Sequence, residues 1–191
     1  MKDLPTLPHS ERLIVVVGPS GAGKDSVLQA WAGLRSASGP QVHQAQRVIT
    51  RPADGGAEQH EAVSAEDFVA LQTTGVLATT WQAHGLSYGV RHHALAPLAA
   101  GDWVVLNSSR AHLPTLRQQA PGLSVVEITA PPAMRAQRLL GRGREDEAAV
   151  SARLQRHTPT VQADLTLVND SSLHEVAQAL QRWWTARQAV P

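Results

Sequence analysis

Five consecutive apolar residues, Leu13-Ile-Val-Val-Val17, run straight into Gly18-Pro19-Ser20-Gly21-Ala22-Gly23-Lys24-Asp25-Ser26. An apolar run of this length, bounded by glycine and proline, reads as a buried strand. The glycine-rich turn behind it opens a helical pattern. Backbone N–H groups of such a turn, with the positive end of the helix, cradle polyphosphate. At this chain's own glycine and lysine frequencies, G-x-x-x-x-G-K arises by chance on the order of once in 100 such chains. Lys24 is one of only two lysines, the other being Lys2, among 17 basic residues. A lysine here meets β- and γ-phosphate oxygens and offsets the charge that builds up in transfer. The alternative for Lys24 is an exposed lysine at a helix start. One position departs from the pattern: a hydroxyl is due at 25, and the residue is Asp25, with Ser26 after it.

At 191 residues the chain is expected to form one domain, residues 1–191. A formal charge of +1 gives no sign of a general nucleic-acid binder, and no nucleic-acid partner is expected. The basic residues cluster locally, which suits discrete phosphates. Zero cysteines exclude disulfides, thiolate metal sites and cysteine nucleophiles. Met1–Arg12 carries two prolines and no apolar run, so no signal peptide is expected. The apolar stretches are strand-length and fall far short of a membrane span. The expectation is a cytoplasmic protein with no membrane partner; oligomeric state is left open.

Strand and helix patterns alternate, which predicts an α/β fold with a parallel sheet. Leu13–Val17 is the first strand. Lys24–Leu34 puts Val27, Leu28, Trp31 and Leu34 on one helical face. Arg47–Arg51 is a short strand and Ala53–Glu58 a loop. Ser64 caps a helix through Thr74, with Gly75 past its end. Val76–Trp81 and Leu86–Val90 flank His84-Gly85 as a hairpin. A short helix spans His93–Ala100, followed by the strand Trp103–Leu106 and a helix Ala111–Gln119. Ser124–Ile128 is a strand, Pro132–Leu140 a helix, and a further helix covers Glu147–Arg156. Leu165–Val168 is the last strand. The last helix is Ser172–Arg187, with Ser172 and Glu175 as a capping box and Leu173, Val176, Ala177, Leu180 and Trp184 as its apolar face. Residues 53–90, irregular and β-rich, are expected to form a small insertion on a core of 12–52 and 91–191.

Arg135, Arg138, Arg142, Arg144 and Arg153 surround a Gly-Arg-Gly break. Arg135, Arg138 and Arg142 share a helix face by spacing. They read as a lid over about 138–150 that closes on phosphates, or as a solvated basic face. Arg47, Arg51, His60, His84, Tyr88, Arg91 and Arg110 fall mostly at strand ends or in loops, where α/β proteins place ligands. His92, His93 and His112 are expected to be solvated. Asp102 simply follows a helix-ending glycine. Asp170 or Ser172 caps the last helix, and Asn169, at a strand's carboxyl end, could touch a nucleotide base. No His/Asp/Glu spacing forms a metal cage.

Gly18-Pro-Ser-Gly-Ala-Gly-Lys, Thr50-Arg51-Pro52, His84-Gly85-x-x-Tyr88-Gly89, Arg138-Leu-x-x-Arg142-Gly and Val168-Asn169-Asp170 occur in that order. Together they resemble the guanylate kinase superfamily over essentially the whole chain. That resemblance implies a P-loop α/β core with an acceptor-binding insertion and an arginine lid. The chain departs where guanylate kinases read guanine. Their serine four residues before the Thr-Arg arginine is Arg47. Their glutamate two before His-Gly is Gln82, and their two aspartates after the Trp103–Leu106 strand are Asn107 and Ser109. A phosphate-binding tyrosine is replaced by His60, and a second arginine by Asp54. Carboxylates that accept from guanine's N–H donors are gone, and Arg47 and Arg110 have come in. Leaving those donors unpaired costs on the order of 1–3 kcal/mol each. A site of this composition prefers an anion where a base would lie.

Gly-Lys-Asp25-Ser26, Arg47-Val-Ile-Thr-Arg-Pro52 and Asn107-Ser-Ser-Arg110 look like the ribose 1,5-bisphosphate phosphokinase family. That resemblance implies formation of 5-phosphoribosyl 1-diphosphate (PRPP) from ribose 1,5-bisphosphate and ATP, in phosphonate breakdown. It implies that residues 18–26 hold ATP, joined by Arg144 and Asn169. Asp25 or Ser26 lies near Mg²⁺, and Lys24, Arg138 and Arg142 act on the transferring group. Arg47, Arg51, His60, His84, Tyr88 and Arg110 hold the sugar bisphosphate. The rival readings are a guanylate kinase acting on GMP and a guanylate-kinase-like binding module without catalysis.

Overall fold

The computed structural model describes residues 6–35, 39–52, 60–141 and 160–188. The expected loop Ala53–Glu58, the helix Glu147–Arg156, Asp54, Arg142, Arg144 and Arg153 lie outside these residues. The chain divides into two compact units, residues 1–15 with 38–124 and residues 16–37 with 125–191. The division runs through the first strand, β1 (Leu13–Val17). Every side chain of β1 is fully buried, as an unbroken apolar run demands.

The first unit contains β2 (Val42–Gln44), β3 (Arg47–Ile49), β4 (Glu61–Ala62), β5 (Leu77–Ala83), β6 (Leu86–Arg91) and β7 (Trp103–Asn107). Its helices are α2 (Ala65–Thr73), α3 (His92–Leu95) and α4 (Leu113–Gln119). The second unit contains α1 (Lys24–Ala32), α5 (Pro132–Leu140), β9 (Leu165–Val168), α6 (Leu173–Gln188) and most of β8 (Ser124–Thr129). Among the described residues, one sheet has the order β2-β7-β1-β8-β9. β2 pairs with β7 and β8 with β9, both in parallel, so each strand returns by a crossover. This is the expected α/β fold.

A second sheet, β4-β3-β6-β5, belongs to the first unit. It takes in β3, which precedes the expected insertion. β5 and β6 form the predicted hairpin and run to Ala83 and Arg91. His84 and Gly85, at φ 54° and 73°, make the two-residue turn that matches strand twist. Gly89 pairs with Val48. A Cβ on it would meet Leu77 Cδ1 at 2.9 Å and Phe68 Cε2 at 3.3 Å, so its lack of a side chain lets α2 lie close on this face.

Several boundaries differ from expectation. β2 was not legible, because Val42 is its only buried residue. α1 ends at Ala32, with Gly33 as its cap, so Leu34 lies beyond the helix. The predicted helix 93–100 is α3 followed by a 3₁₀ turn, Ala96–Ala100. Pro97 has no N–H to continue an α-helical ladder, and the tighter turn results. Ser64 accepts from Asp67 N at 3.0 Å, and Ser172 and Glu175 make the predicted capping box. Val176, Ala177, Leu180 and Trp184 are buried on α6 as expected, but Leu173 is 40% exposed, one turn too early to reach the core. Trp184 meets Trp31 of α1 edge-on at 5.8 Å, and Trp31 Nε1 donates to Gln181 Oε1 at 2.7 Å.

Asp102 does more than follow Gly101. Its carboxylate accepts from Gln41 N at 3.1 Å and meets His43 Nε2 at 2.9 Å, which ties β2 to the start of β7. The His43 contact, then the Gln41 amide, holds the carboxyl below its usual range.

Candidate active site

The residues expected to hold a phosphate donor lie in the second unit. β1 delivers the chain into residues 18–23, and α1 starts at Lys24, with Asp25 and Ser26 half-buried in its first turn. Lys24 Nζ donates to the carbonyls of Gly18 at 3.0 Å and Pro19 at 3.3 Å, which seats the ammonium at the loop.

The loop is gripped from outside by its carbonyls. Arg135 Nε donates to Ser20 O at 3.1 Å. Arg138 Nη1 reaches Gly21 O and Ala22 O at 3.5 Å, and its Nη2 donates to Asn169 O at 3.1 Å. Asn169 Nδ2 donates to Ala22 O at 2.8 Å. A trans peptide sets its N–H opposite its C=O. Cations on the Ser20 and Ala22 carbonyls therefore turn the Gly21 and Gly23 amides to the other side. A Cβ on Gly23, at φ 82°, would lie 2.5 Å from Asn169 Nδ2 and push the brace away. Arg135 and Arg138 thus lie on α5 against the loop rather than in a segment apart from it. Burial lowers the pKa of Arg135.

The residues expected to hold the acceptor lie in the first unit. Residues opposite one another in an antiparallel pair share a face. Tyr88 lies opposite Ile49 and Val90 opposite Arg47, so Arg47 and Tyr88 share one face of the second sheet. The Arg47 guanidinium sits 5.9 Å over the Tyr88 ring, and its Nη1 donates to Asn107 O at 3.2 Å. Tyr88 stacks on Trp81 at 5.3 Å and Trp81 on His112 at 4.6 Å. Arg110 is half-buried in the turn that follows Asn107.

Arg51 and His60 form a separate pair. His60 Nε2 donates to Arg51 O at 3.1 Å, and its Nδ1 faces Arg51 Nη2 at 3.5 Å. Arg51 lines a cavity of about 860 Å³, with Thr50, Ser64, Gly85 and Arg91. Arg91 is not available to a ligand in the way its sequence position suggests. Its Nε and Nη2 grip Glu61 bidentately at 2.8 and 2.6 Å, and this hydrogen bonding lowers Glu61 and raises Arg91. His84 is exposed at the hairpin turn.

His92 and His93 are exposed as expected, but His112 is not: it is 4% exposed. It bonds to Thr79 Oγ1 at 3.0 Å and Ser108 Oγ at 3.1 Å, partners 33 and four residues away. Sequence reading also missed Trp81, Thr79, Gln119, Glu61 and the loop contact of Arg135. A histidine at a helix start, four residues past Ser108, was the available signal.

Among the described residues, no group of three or more His, Cys, Asp or Glu side chains could hold a metal ion, and no helix is long and apolar enough to cross a membrane. A metal in a phosphate loop needs only a hard oxygen or two, the rest coming from phosphate and water. Asp25 and Ser26 supply donors of that kind.

No protein-family model matches the chain. It is 46% identical over 162 residues to the bifunctional ribose 1,5-bisphosphokinase-thymidine phosphorylase of Azorhizobium caulinodans, covering 82% of this chain and 23% of that protein. It is 42% identical over 167 residues to the ribose 1,5-bisphosphate phosphokinase PhnN of Agrobacterium fabrum, covering 86% of this chain and 91% of that protein. The same name belongs to a relative in Acidiphilium cryptum, 45% identical over 166 residues, covering 87% and 88%. Among solved structures, the guanylate kinase of Anaplasma phagocytophilum has the same fold, with TM-score 0.66 and 18% identity over 98% of this chain and 88% of that one.

Proposed function

The chain belongs to the ribose 1,5-bisphosphate phosphokinase family, and we propose that it transfers the γ-phosphoryl group of ATP to the 1-phosphate of ribose 1,5-bisphosphate, giving PRPP. The observation that carries this reading is Arg47, seated over Tyr88 and bonded to Asn107 O. A guanidinium occupies this place, Gln82, Asn107 and Ser109 stand where guanine recognition would need carboxylates, and Arg110 adds a second cation.

The attacking group is a phosphate oxygen, already an anion at neutral pH. No general base is required; positioning and charge stabilisation suffice. The loop 18–26 and Lys24 hold the donor phosphates. Arg135, Arg138 and Asn169 keep the loop amides turned toward them. Arg47, Tyr88 and Arg110 hold the acceptor, with Arg51, His60 and His84 contributing at its edge. Arg142 acts on the transferring group and Arg144 on ATP. Mg²⁺, when bound by Asp25 and Ser26, neutralises charge on the β- and γ-phosphates. Residues 1–191 act as one kinase domain in the cytoplasm, within phosphonate breakdown, on small molecules.

Product analysis decides the matter. The protein is incubated with ATP, Mg²⁺ and either ribose 1,5-bisphosphate or GMP. PRPP forms only in the first mixture. Efficient GDP formation with no reaction of the sugar establishes a guanylate kinase instead. Absence of both products, with no thermal stabilisation by ATP and Mg²⁺, establishes a binding module.

A further inference from the structure

Behind Tyr88 lies a run of buried polar groups that none of these roles uses: Ser108, His112, Thr79 and Gln119. Its hydrogen-bond direction can be read from one end. Gln119 Nε2 donates to Ala78 O at 3.2 Å, so Gln119 Oε1 accepts the Thr79 hydroxyl at 2.8 Å. That hydroxyl has no second proton to give. Its oxygen therefore accepts from His112 Nε2–H at 3.0 Å. His112 Nδ1 carries no proton and accepts from the Ser108 hydroxyl at 3.1 Å. One neutral tautomer satisfies the whole run. Burial pushes His112 down to about 4, which keeps the ring neutral at physiological pH.

The ring held in this way is the base of the stack that continues through Trp81 and Tyr88 to the Arg47 guanidinium. The backbone of the same residue closes the turn after β7. His112 N donates to Ser109 O at 3.1 Å and lies 3.2 Å from Ser109 Oγ. That turn carries Arg110 and starts from Asn107, whose carbonyl receives Arg47. His112 is thus joined to Tyr88 through its ring and to Arg110 through its backbone.

We propose that His112 is a positioning residue for the sugar-phosphate acceptor: locked between Ser108 and Thr79, its ring sets the plane of Trp81 and Tyr88 while its backbone sets the Asn107–Arg110 turn. It acts through these residues and touches no substrate. The proposal rests on the reading of Arg47 and Tyr88 as acceptor residues.

Steady-state kinetics on the purified full-length chain test it, with each substrate varied in turn. His112→Phe keeps a flat ring against Trp81 but removes both hydrogen bonds. Thr79→Val removes the acceptor of Nε2–H, together with the hydroxyl that Gln119 Oε1 accepts, and leaves the Ser108 bond to His112 in place. Loss of a buried hydrogen bond corresponds to about a tenfold change. The KM for ribose 1,5-bisphosphate should rise about tenfold in His112→Phe and about threefold in Thr79→Val. The KM for ATP should stay within about twofold in both. Equal change in the two KM values, or no change for the bisphosphate, overturns the proposal. Arg47→Ser, measured alongside, separates the two readings. If it alone raises the acceptor KM, His112 is rejected and the acceptor site stands. If it too leaves that KM unchanged, the acceptor assignment falls and the proposal with it. Nitrogen NMR of the wild-type imidazole gives an answer even if His112→Phe does not fold. A proton on Nε2 and a bare Nδ1 throughout pH 8 to 5 are expected; an imidazolium or an Nδ1–H tautomer there overturns the proposal.

Discussion

The side-chain amide of Asn169 donates to the carbonyl of Ala22 at 2.8 Å, across 147 positions of sequence. Asn169 is 1% exposed, and its own carbonyl receives Arg138 Nη2. The carboxyl end of β9 and the last turn of α5 therefore meet on the back of the phosphate loop. The Asn169 Oδ1 atom is buried without a hydrogen-bond partner among the described residues. The brace thus depends on Nδ2 alone.

Asn169→Asp should damage the loop more than Asn169→Ala. Alanine removes one buried hydrogen bond, a loss of about 1 kcal/mol. Aspartate sets a buried anion against the Ala22 carbonyl, so a larger fall in melting temperature is expected. Both variants should raise the KM for ATP. Thermal melts with ATP titration check the order; equal stability of the two would remove Asn169 as a brace.

Lys24→Ala should lower turnover at least about 100-fold, the usual effect of deleting a group that meets developing charge. Its contacts to Gly18 O and Pro19 O are only part-buried, so stability should fall by no more than about 3 kcal/mol and the variant should stay folded. A single-turnover assay with a parallel melt tests both statements. An active variant means that the loop has been misread.

Arg47→Ser should weaken the sugar bisphosphate more than ATP. The substitution removes a charged donor to Asn107 O and the cation over Tyr88. Hydrogen bonds to charged groups contribute about 1.5–3 kcal/mol, which corresponds to roughly tenfold to 100-fold in acceptor KM. Equal loss for both substrates would take Arg47 out of the acceptor site.

His112 should make folding stability fall with acidity between pH 6.5 and about 4. Its pKa is lowered in the folded state, so through that window the unfolded chain binds a proton that the folded chain refuses. Stability is therefore greatest above 6.5, declines toward 4 and levels below it. The full effect is on the order of 3 kcal/mol. Urea melts across this range, repeated with His112→Asn, check it: the variant should lose most of the slope.

Where a feature depended on neighbours in sequence, it could be read before folding. The apolar run of β1 is buried from end to end. Ser64 and Ser172 cap the helices they precede, and His84-Gly85 turns the hairpin. The same local logic misplaced His112 at the surface, because a polar residue beside a helix start is usually wet. Its partners Thr79 and Trp81 come from β5, and no local signal links β5 to α4. Arg91 read as a ligand for the same reason; its partner Glu61 lies on β4, 30 residues earlier. Spacing alone left Arg135 and Arg138 open between a lid and a solvated basic face; in the fold they hold the carbonyls of Ser20, Gly21 and Ala22.

Sequence by itself determined the strand, the phosphate loop with its lysine and the helix behind it, because these arise from periodicity and backbone freedom within a few residues. It also determined that Gln82, Asn107 and Ser109 stand where the resemblance puts carboxylates and that Arg47 and Arg110 have come in beside them, which is a matter of residue identity. Only the tertiary structure decided which arginine braces the loop, which is spent on Glu61 and which lies over Tyr88. Hydrogen bonds and ring stacking act over a few ångströms, and their partners here stand dozens of residues apart in the chain. Folding alone brings them within reach.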